Sequence, residues 1–331
     1  MTHRMRRFII LLICTTALFV RPAGAVGFQT TTVPDPPFAP LAVGIWYPSD
    51  VPAPAEPNAL VHQALALNGS VSGHHLPLVI ISHGKGGWLG GHADTAFALA
   101  EAGFVAVAVT HTGDNRFDET APASRWMVDR PRHISRVIDY MLGHWSDHDR
   151  LDPKRIGIFG FSAGAYTALV SIGGVPDMAA AAAHCAADPS EFACTLGTSK
   201  GRHTARDWVH DPRIMAAVVV APGFGFAFGG DALAHVTVPV QLWAASEDRN
   251  VPYRSNTAIV RRALPRPPDF HRVDGAGHFA FMQPCNPKLR LALPKIWEMV
   301  CVDPPGFDRA RFHHQFNDAI VAFFLKSLSA P

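Results

Sequence analysis

Apolar residues in this chain gather into short blocks of strand length, separated by stretches with helical spacing. Residues 76–81 read Leu-Pro-Leu-Val-Ile-Ile without alternation, which suits a strand covered on both faces. Residues 104–109, 155–159, 214–220 and 238–243 read as further strands. Between them, residues 92–102 form a helix closed by Gly103, and 128–145 carry Ile134, Val137, Ile138, Met141 and Leu142 at helical spacing. Residues 163–171 and 316–328 are two more helices. Upstream, the run 41–47 (Leu-Ala-Val-Gly-Ile-Trp-Tyr) reads as part of an antiparallel strand pair feeding a sheet edge, with a loose loop to about residue 76. Strands alternating with helices predict an α/β domain with a mainly parallel central sheet flanked by helices.

Two segments stand outside that rhythm. Residues 174–212 hold an alanine-rich run and a pair of cysteines, and read as a small insertion. It is either a cap over the functional edge or a surface loop stapled by its own disulfide. Asp129-Arg130-Pro131-Arg132 reads as the opening turn of the long helix, where proline and a nearby acid suit initiation. The arginines are alternatively placed to hold a substrate carboxylate.

The N-terminus changes the picture of compartment. Arg4, Arg6 and Arg7 precede the apolar run 8–20, and Ala23-Gly24-Ala25 follows as a small-x-small cleavage pattern, so residues 1–25 read as a signal peptide. An anchor helix is the alternative. One α/β domain then occupies 26–331. The composition, 48% hydrophobic and 17% charged, is that of a chain with ample core, which excludes extended disorder. Loss of residues 1–25 removes four arginines and no acid, leaving 25 Lys+Arg against 27 Asp+Glu. Nothing basic remains to suggest nucleic acid or an anionic membrane as partner, and no apolar run long enough for an integral span lies beyond the N-terminus. After export the protein is expected to be secreted or periplasmic. Four cysteines remain there, allowing three connectivities, of which the local pairing Cys185–Cys194 with Cys285–Cys301 is preferred. Each bridge would stabilise by about 2–3 kcal/mol. No spacing typical of a metal site occurs, so neither metal nor cofactor is expected.

The candidate chemistry centres on Gly160-Phe161-Ser162-Ala163-Gly164, a G-x-S-x-G directly after a strand and before a helix. Glycines flank the serine because the turn is sharp and strand and helix crowd it, which lifts the hydroxyl to the tip. A serine needs a base, and a base needs orienting. His278, in Asp274-Gly275-Ala276-Gly277-His278-Phe279, and Asp248, after the strand ending at Trp243, follow in the chain order Ser, acid, His. Ser162 is thus the candidate nucleophile, His278 the base, Asp248 the orienting carboxylate, and Glu247 the alternative acid. His83 and His111 stand apart from the other histidines because each ends a strand at the same edge. Ser82-His83-Gly84-Lys85-Gly86-Gly87 follows the first core strand, and the backbone N–H groups of Lys85 and Ala163 are the candidate oxyanion donors, each worth about 3–4 kcal/mol in a transition state.

On residues 43–48 (VGIWYP), 77–87 (PLVIISHGKGG), 160–164 and 275–281 (GAGHFAF), the chain resembles the α/β-hydrolases. Specifically, it resembles the secreted "predicted dienelactone hydrolase" branch related to platelet-activating-factor acetylhydrolases. Residues 302–324, with Pro305-Gly306-Phe307-Asp308-Arg309, also look like that branch's C-terminal region, so the resemblance covers nearly the whole exported chain. It implies a cofactor-free serine hydrolase cleaving carboxylic esters through an acyl-enzyme. Two departures matter. Dienelactone hydrolases carry a cysteine nucleophile where this chain has Ser162. Eukaryotic platelet-activating-factor acetylhydrolases take their acid where this chain reads Ala221-Pro222-Gly223, which favours Asp248.

Substrate choice rests on two features. Phe224, Phe226 and Phe228 leave a strand at its functional end, as an apolar pocket wall or as plain core packing, and Trp88 stands beside the oxyanion loop. A small-molecule ester is one expected substrate and a lipid ester the rival. Amidase activity and a non-catalytic binding role are the remaining alternatives.

Overall fold

In a computed structural model that describes residues 25–197 and 207–329, nine strands form one sheet in the order β3-β1-β2-β5-β4-β6-β7-β8-β9. The signal-peptide reading lies, apart from Ala25, outside the described residues, and so do positions 198–206 of the insertion. The strands are β1 Ala25–Val33, β2 Leu41–Ser49, β3 Ala66–Leu67, β4 Leu76–Ser82, β5 Val105–Thr110, β6 Leu151–Phe161, β7 Ile214–Val220, β8 Val240–Ala245 and β9 Asp269–Val273. From β5 to β9 along the sheet, neighbours are parallel, while β2 pairs antiparallel with both β1 and β5. The expected mainly parallel α/β architecture is therefore present.

Every residue of β4 and β5 is buried because helices cover both faces. Successive side chains point to opposite sides. Leu78 and Ile80 join a core with Ile134, Leu169, Ala181, Ala193 and Val260. Those come from α2 Ala123–Gly143, α3 Ala163–Ser171, α4 Met178–Ala187, α5 Phe192–Thr195 and α6 Thr257–Ala263. Val79 and Ile81 join the opposite core, with Leu99 of α1 Ala93–Glu101 and Phe316, Ile320 and Phe324 of α9 Arg309–Ser327.

The long helix departs from expectation. It begins at Ala123, so Pro131 lies in its interior rather than its first turn. The proline at the helix start is Pro122, which caps α2 in an extended conformation. An interior proline forfeits one backbone hydrogen bond. Burial of Trp126, Met127, Ile134 and Val137 around it offsets that loss.

Both local disulfides are formed, Cys185–Cys194 and Cys285–Cys301. The first joins α4 to α5 in the insertion. There the buried Glu191 accepts from Asn256 Nδ2 (2.6 Å) and hydrogen-bonds His184 Nε2 (2.9 Å), while the His184 ring stacks on Phe226. The described part of the insertion is thus docked beside the loop that follows β8. The second bridge closes a segment holding two short turns, α7 Leu289–Ala292 and α8 Pro294–Ile296. Among the described residues, no helix is long and apolar enough to cross a membrane.

Candidate active site

The C-terminal ends of β4, β6, β8 and β9 converge on one edge, where an open parallel sheet presents its loops to a ligand. Ser162 sits between β6 and α3 with φ 55° and ψ −115°, a left-handed conformation that costs a non-glycine residue about 1–3 kcal/mol. The turn is this tight because strand and helix touch. A Cβ at Gly160 would collide with the Gly164 carbonyl, and one at Gly164 with the Ser82 carbonyl. Glycine is therefore required at both positions.

Three side chains from three loops meet there. Ser162 Oγ lies 3.0 Å from His278 Nε2, and His278 Nδ1 lies 2.7 Å from Asp248 Oδ2. All three residues are buried to 9% exposure or less. Asp248 Oδ1 also accepts the backbone N–H groups of Asn250 (2.9 Å) and Val251 (2.7 Å), which orients the carboxylate. With one oxygen so occupied, the other receives the ring proton on Nδ1, leaving Nε2 free to accept from the serine. The Glu247 carboxylate is exposed and, among the described residues, accepts only from its neighbour Ser246, so it does not share this arrangement.

Gly84 packs against the elbow, where a Cβ would stand 3.4 Å from Ser162 Cβ. Among the described residues, the N–H groups of Lys85 and Ala163 donate to no acceptor. The Lys85 ammonium turns away to pair with Glu119. Trp88 is half-buried at the loop's outer end, with Phe117 edge-on and the Arg116 guanidinium over both rings. Phe224, Phe226 and Phe228 are at most 4% exposed and pack on Trp126, Tyr166 and His184, so the structure gives them to the core rather than to an open pocket wall. Side chains projected from a strand end prefer the apolar interior to water when helices are near enough to cover them.

Behind the loop lies a polar network that the sequence only hinted at. Arg130 is fully buried, and its guanidinium donates to the carbonyls of His83 (2.7 Å) and Gly84 (3.1 Å) and pairs with Asp114 (2.8 Å). Asp114 in turn accepts the N–H of Gly86. His83 Nε2 accepts the N–H of His111, so its proton is on Nδ1, donated to Gly84 O at 2.6 Å. His111 hydrogen-bonds Ser82 Oγ (2.9 Å) and His133 (3.2 Å). The arginines were legible as a cluster, but their start-of-helix reading fails because the helix begins earlier. Arg130 holds backbone carbonyls, not a substrate carboxylate.

Burial keeps these histidines neutral. It lowers His83 and His111 well below the usual value, helped by the Arg130 charge. Burial with the Arg132 and Arg130 charges takes His133 to about 3, and burial takes His92 to about 4 against a partial opposing pull from Asp94. Unfolded, each would take up a proton near pH 6.5; folded, each resists far below that. The unfolded state then binds more protons, so stability falls as pH drops from about 6.5 towards 4, by up to about 1.4 kcal/mol per pH unit for each histidine. The urea midpoint should therefore decline steeply over that window and stay level above pH 7. A flat profile would show that these rings are not buried neutral.

A mainly parallel sheet flanked by helices, with these loops converging at the ends of its strands, is the α/β-hydrolase fold. Residues 64–199 match the family model of the dienelactone hydrolase family. A solved ferulic acid esterase from Streptomyces cinnamoneus superposes on 94% of this chain and 95% of its own, with a TM-score of 0.58 and 18% identity. No curated protein matches the chain by sequence.

Proposed function

We propose that the protein is a serine carboxylic-ester hydrolase working through an acyl-enzyme. The observation that carries this reading is the His278 ring between Ser162 Oγ at 3.0 Å and Asp248 Oδ2 at 2.7 Å. Ser162 attacks the ester carbonyl while His278 Nε2 takes its proton. Asp248 holds the ring tautomer and stabilises the imidazolium that forms. The oxyanion lies between the N–H groups of Lys85 and Ala163, the second at the positive end of α3. His278 then protonates the departing alkoxide, and water repeats the sequence on the acyl-enzyme to release the acid.

The N-terminal pattern and two disulfides support export to an oxidising compartment. A lipid ester as substrate is favoured over a small one by the exposed apolar side chains that follow the His278 turn, among them Leu291 at 90% exposure.

Labelling with a fluorophosphonate probe tests the mechanism directly. One covalent adduct is expected, on the peptide containing Ser162, and denaturation beforehand should abolish it. Adducts scattered over other serines, or none on the folded protein, would overturn the reading. Turnover of p-nitrophenyl esters from acetate to palmitate, with methyl ferulate added because of the structural neighbour, then ranks substrates.

A further inference from the structure

Five large apolar side chains, Leu291 (90%), Leu293 (41%), Ile296 (43%), Met299 (54%) and Val302 (58%), stand exposed within twelve residues. Four of them belong to the segment closed by Cys285–Cys301, whose ends are 5.7 Å apart between Cα atoms, and Val302 follows it directly. From 282 to 308 no residue is fully buried; Met282 and Phe307 pack on the core at its two ends, and the disulfide closes the stretch between them. Its apolar groups are left facing outward.

The charges in the same stretch have one dominant sign. Between Cys285 and Cys301, Lys288, Arg290 and Lys295 oppose only Glu298; all four are exposed, and none forms an ion pair among the described residues, while Asp303 just beyond is paired with Arg309 and Asp308 caps α9. Exposed apolar side chains interleaved with cations match an anionic lipid–water interface, where the apolar groups enter the acyl boundary and the cations meet headgroups. A core-like protein interface would pair or exclude those charges.

Position links this surface to the site. The segment's base is tied to both active-site loops: Gln283 Nε2 donates to the carbonyl of Gly90 at 2.9 Å, and Gly277, next to His278, faces Pro304. Across the oxyanion loop, Phe117 is 75% exposed on a turn anchored by the Arg116 N–H to the Gly87 carbonyl. Exposed apolar side chains thus stand on two segments tied to the loops of the site.

We propose that residues 285–301 are an interfacial anchor that seats the rim of the Ser162 site on a lipid surface carrying anionic headgroups. It presents ester substrates to the site directly from that surface. The substrate part of this inference rests on the esterase reading above; the anchoring part does not.

The test is co-sedimentation of the full exported chain with vesicles of equimolar phosphatidylcholine and phosphatidylglycerol, and with phosphatidylcholine alone. The parent should bind the anionic vesicles at least about tenfold more tightly, with salt weakening the difference. Combining Leu291→Ser, Ile296→Ser and Met299→Ser should lower that binding at least about tenfold. It should also lower the ratio of palmitate-micelle to acetate hydrolysis, with circular dichroism verifying the fold. Lys288→Glu, Arg290→Glu and Lys295→Glu together should remove the preference for anionic vesicles. Absent binding by the parent, or unchanged binding by the serine variant, overturns the anchor. So does a dimer that the serine variant dissociates, because the patch would then belong to a second copy. Ester turnover without vesicle binding would sink the anchor and leave the esterase reading intact. Vesicle binding without any ester turnover would do the reverse.

Discussion

Replacing Ser162 with alanine should lower kcat for ester hydrolysis about a millionfold while leaving the fold intact. In the proposed mechanism the Ser162 hydroxyl attacks the substrate carbonyl, and the His278 Nε2 that would take its proton is 3.0 Å away. His278→Ala should cost about as much, and the double variant little more, because the two act as one unit. Asp248→Asn should cost about 10⁴-fold, since an amide facing Nδ1 favours the wrong ring tautomer. Glu247→Gln should change little, because that carboxylate is exposed and, among the described residues, bonds only Ser246. Steady-state turnover of p-nitrophenyl acetate reads all five. If Glu247→Gln proved the more damaging of the two acid variants, the acid assignment would be wrong. If Ser162→Ala kept its activity, the nucleophile would be.

The second large effect concerns stability and rate together. Arg130→Met removes a fully buried guanidinium that satisfies two carbonyls of the loop after β4, the proposed oxyanion loop, and the buried Asp114 carboxylate. Breaking one partner out of a buried ion pair leaves an uncompensated charge, at a cost of about 3–5 kcal/mol. That is a large part of the ~5–15 kcal/mol by which a domain is stable. Arg130→Lys separates the two roles. A lysine restores the charge but not the planar fork that holds His83 O and Gly84 O together, so the Lys85 N–H loses its aim. Oxyanion geometry is sensitive at the ångström level, so kcat should fall about ten- to a hundredfold with KM little changed. Urea unfolding and steady-state kinetics on both variants check this. Parental stability in Arg130→Met, or parental kcat in Arg130→Lys, would mean that the loop holds its shape without the arginine.

Some of this was legible because its cause is local. The run 76–81 is apolar without alternation, and the structure covers β4 on both faces. The 214–220 boundaries match β7 because a β-branched block ends at a proline–glycine turn. The long helix was misplaced for an equally physical reason. Pro131 looks like a first-turn proline, and only packing of Trp126 and Met127 against the core shows that the helix has already run through Ala123. The disulfide partners were readable from short separations, 9 and 16 residues, which closure favours.

The amino-acid sequence by itself determined the α/β rhythm and the elbow. Both follow from side-chain periodicity and from the absence of a Cβ at Gly160 and Gly164, properties that a few neighbouring residues settle. Only the tertiary structure decided the partners. Asp248 rather than Glu247 faces His278; Arg130 reaches back across 47 positions to His83; Phe224, Phe226 and Phe228 go to the core; and Leu291 and Met299 face outward. Each of these depends on which distant segment arrives within a few ångströms. Hydrophobicity or charge at a single position carries no record of that arrival. A buried ion pair, a covered ring and an uncovered one arise from contacts summed over the whole fold, and the folded chain alone contains that sum.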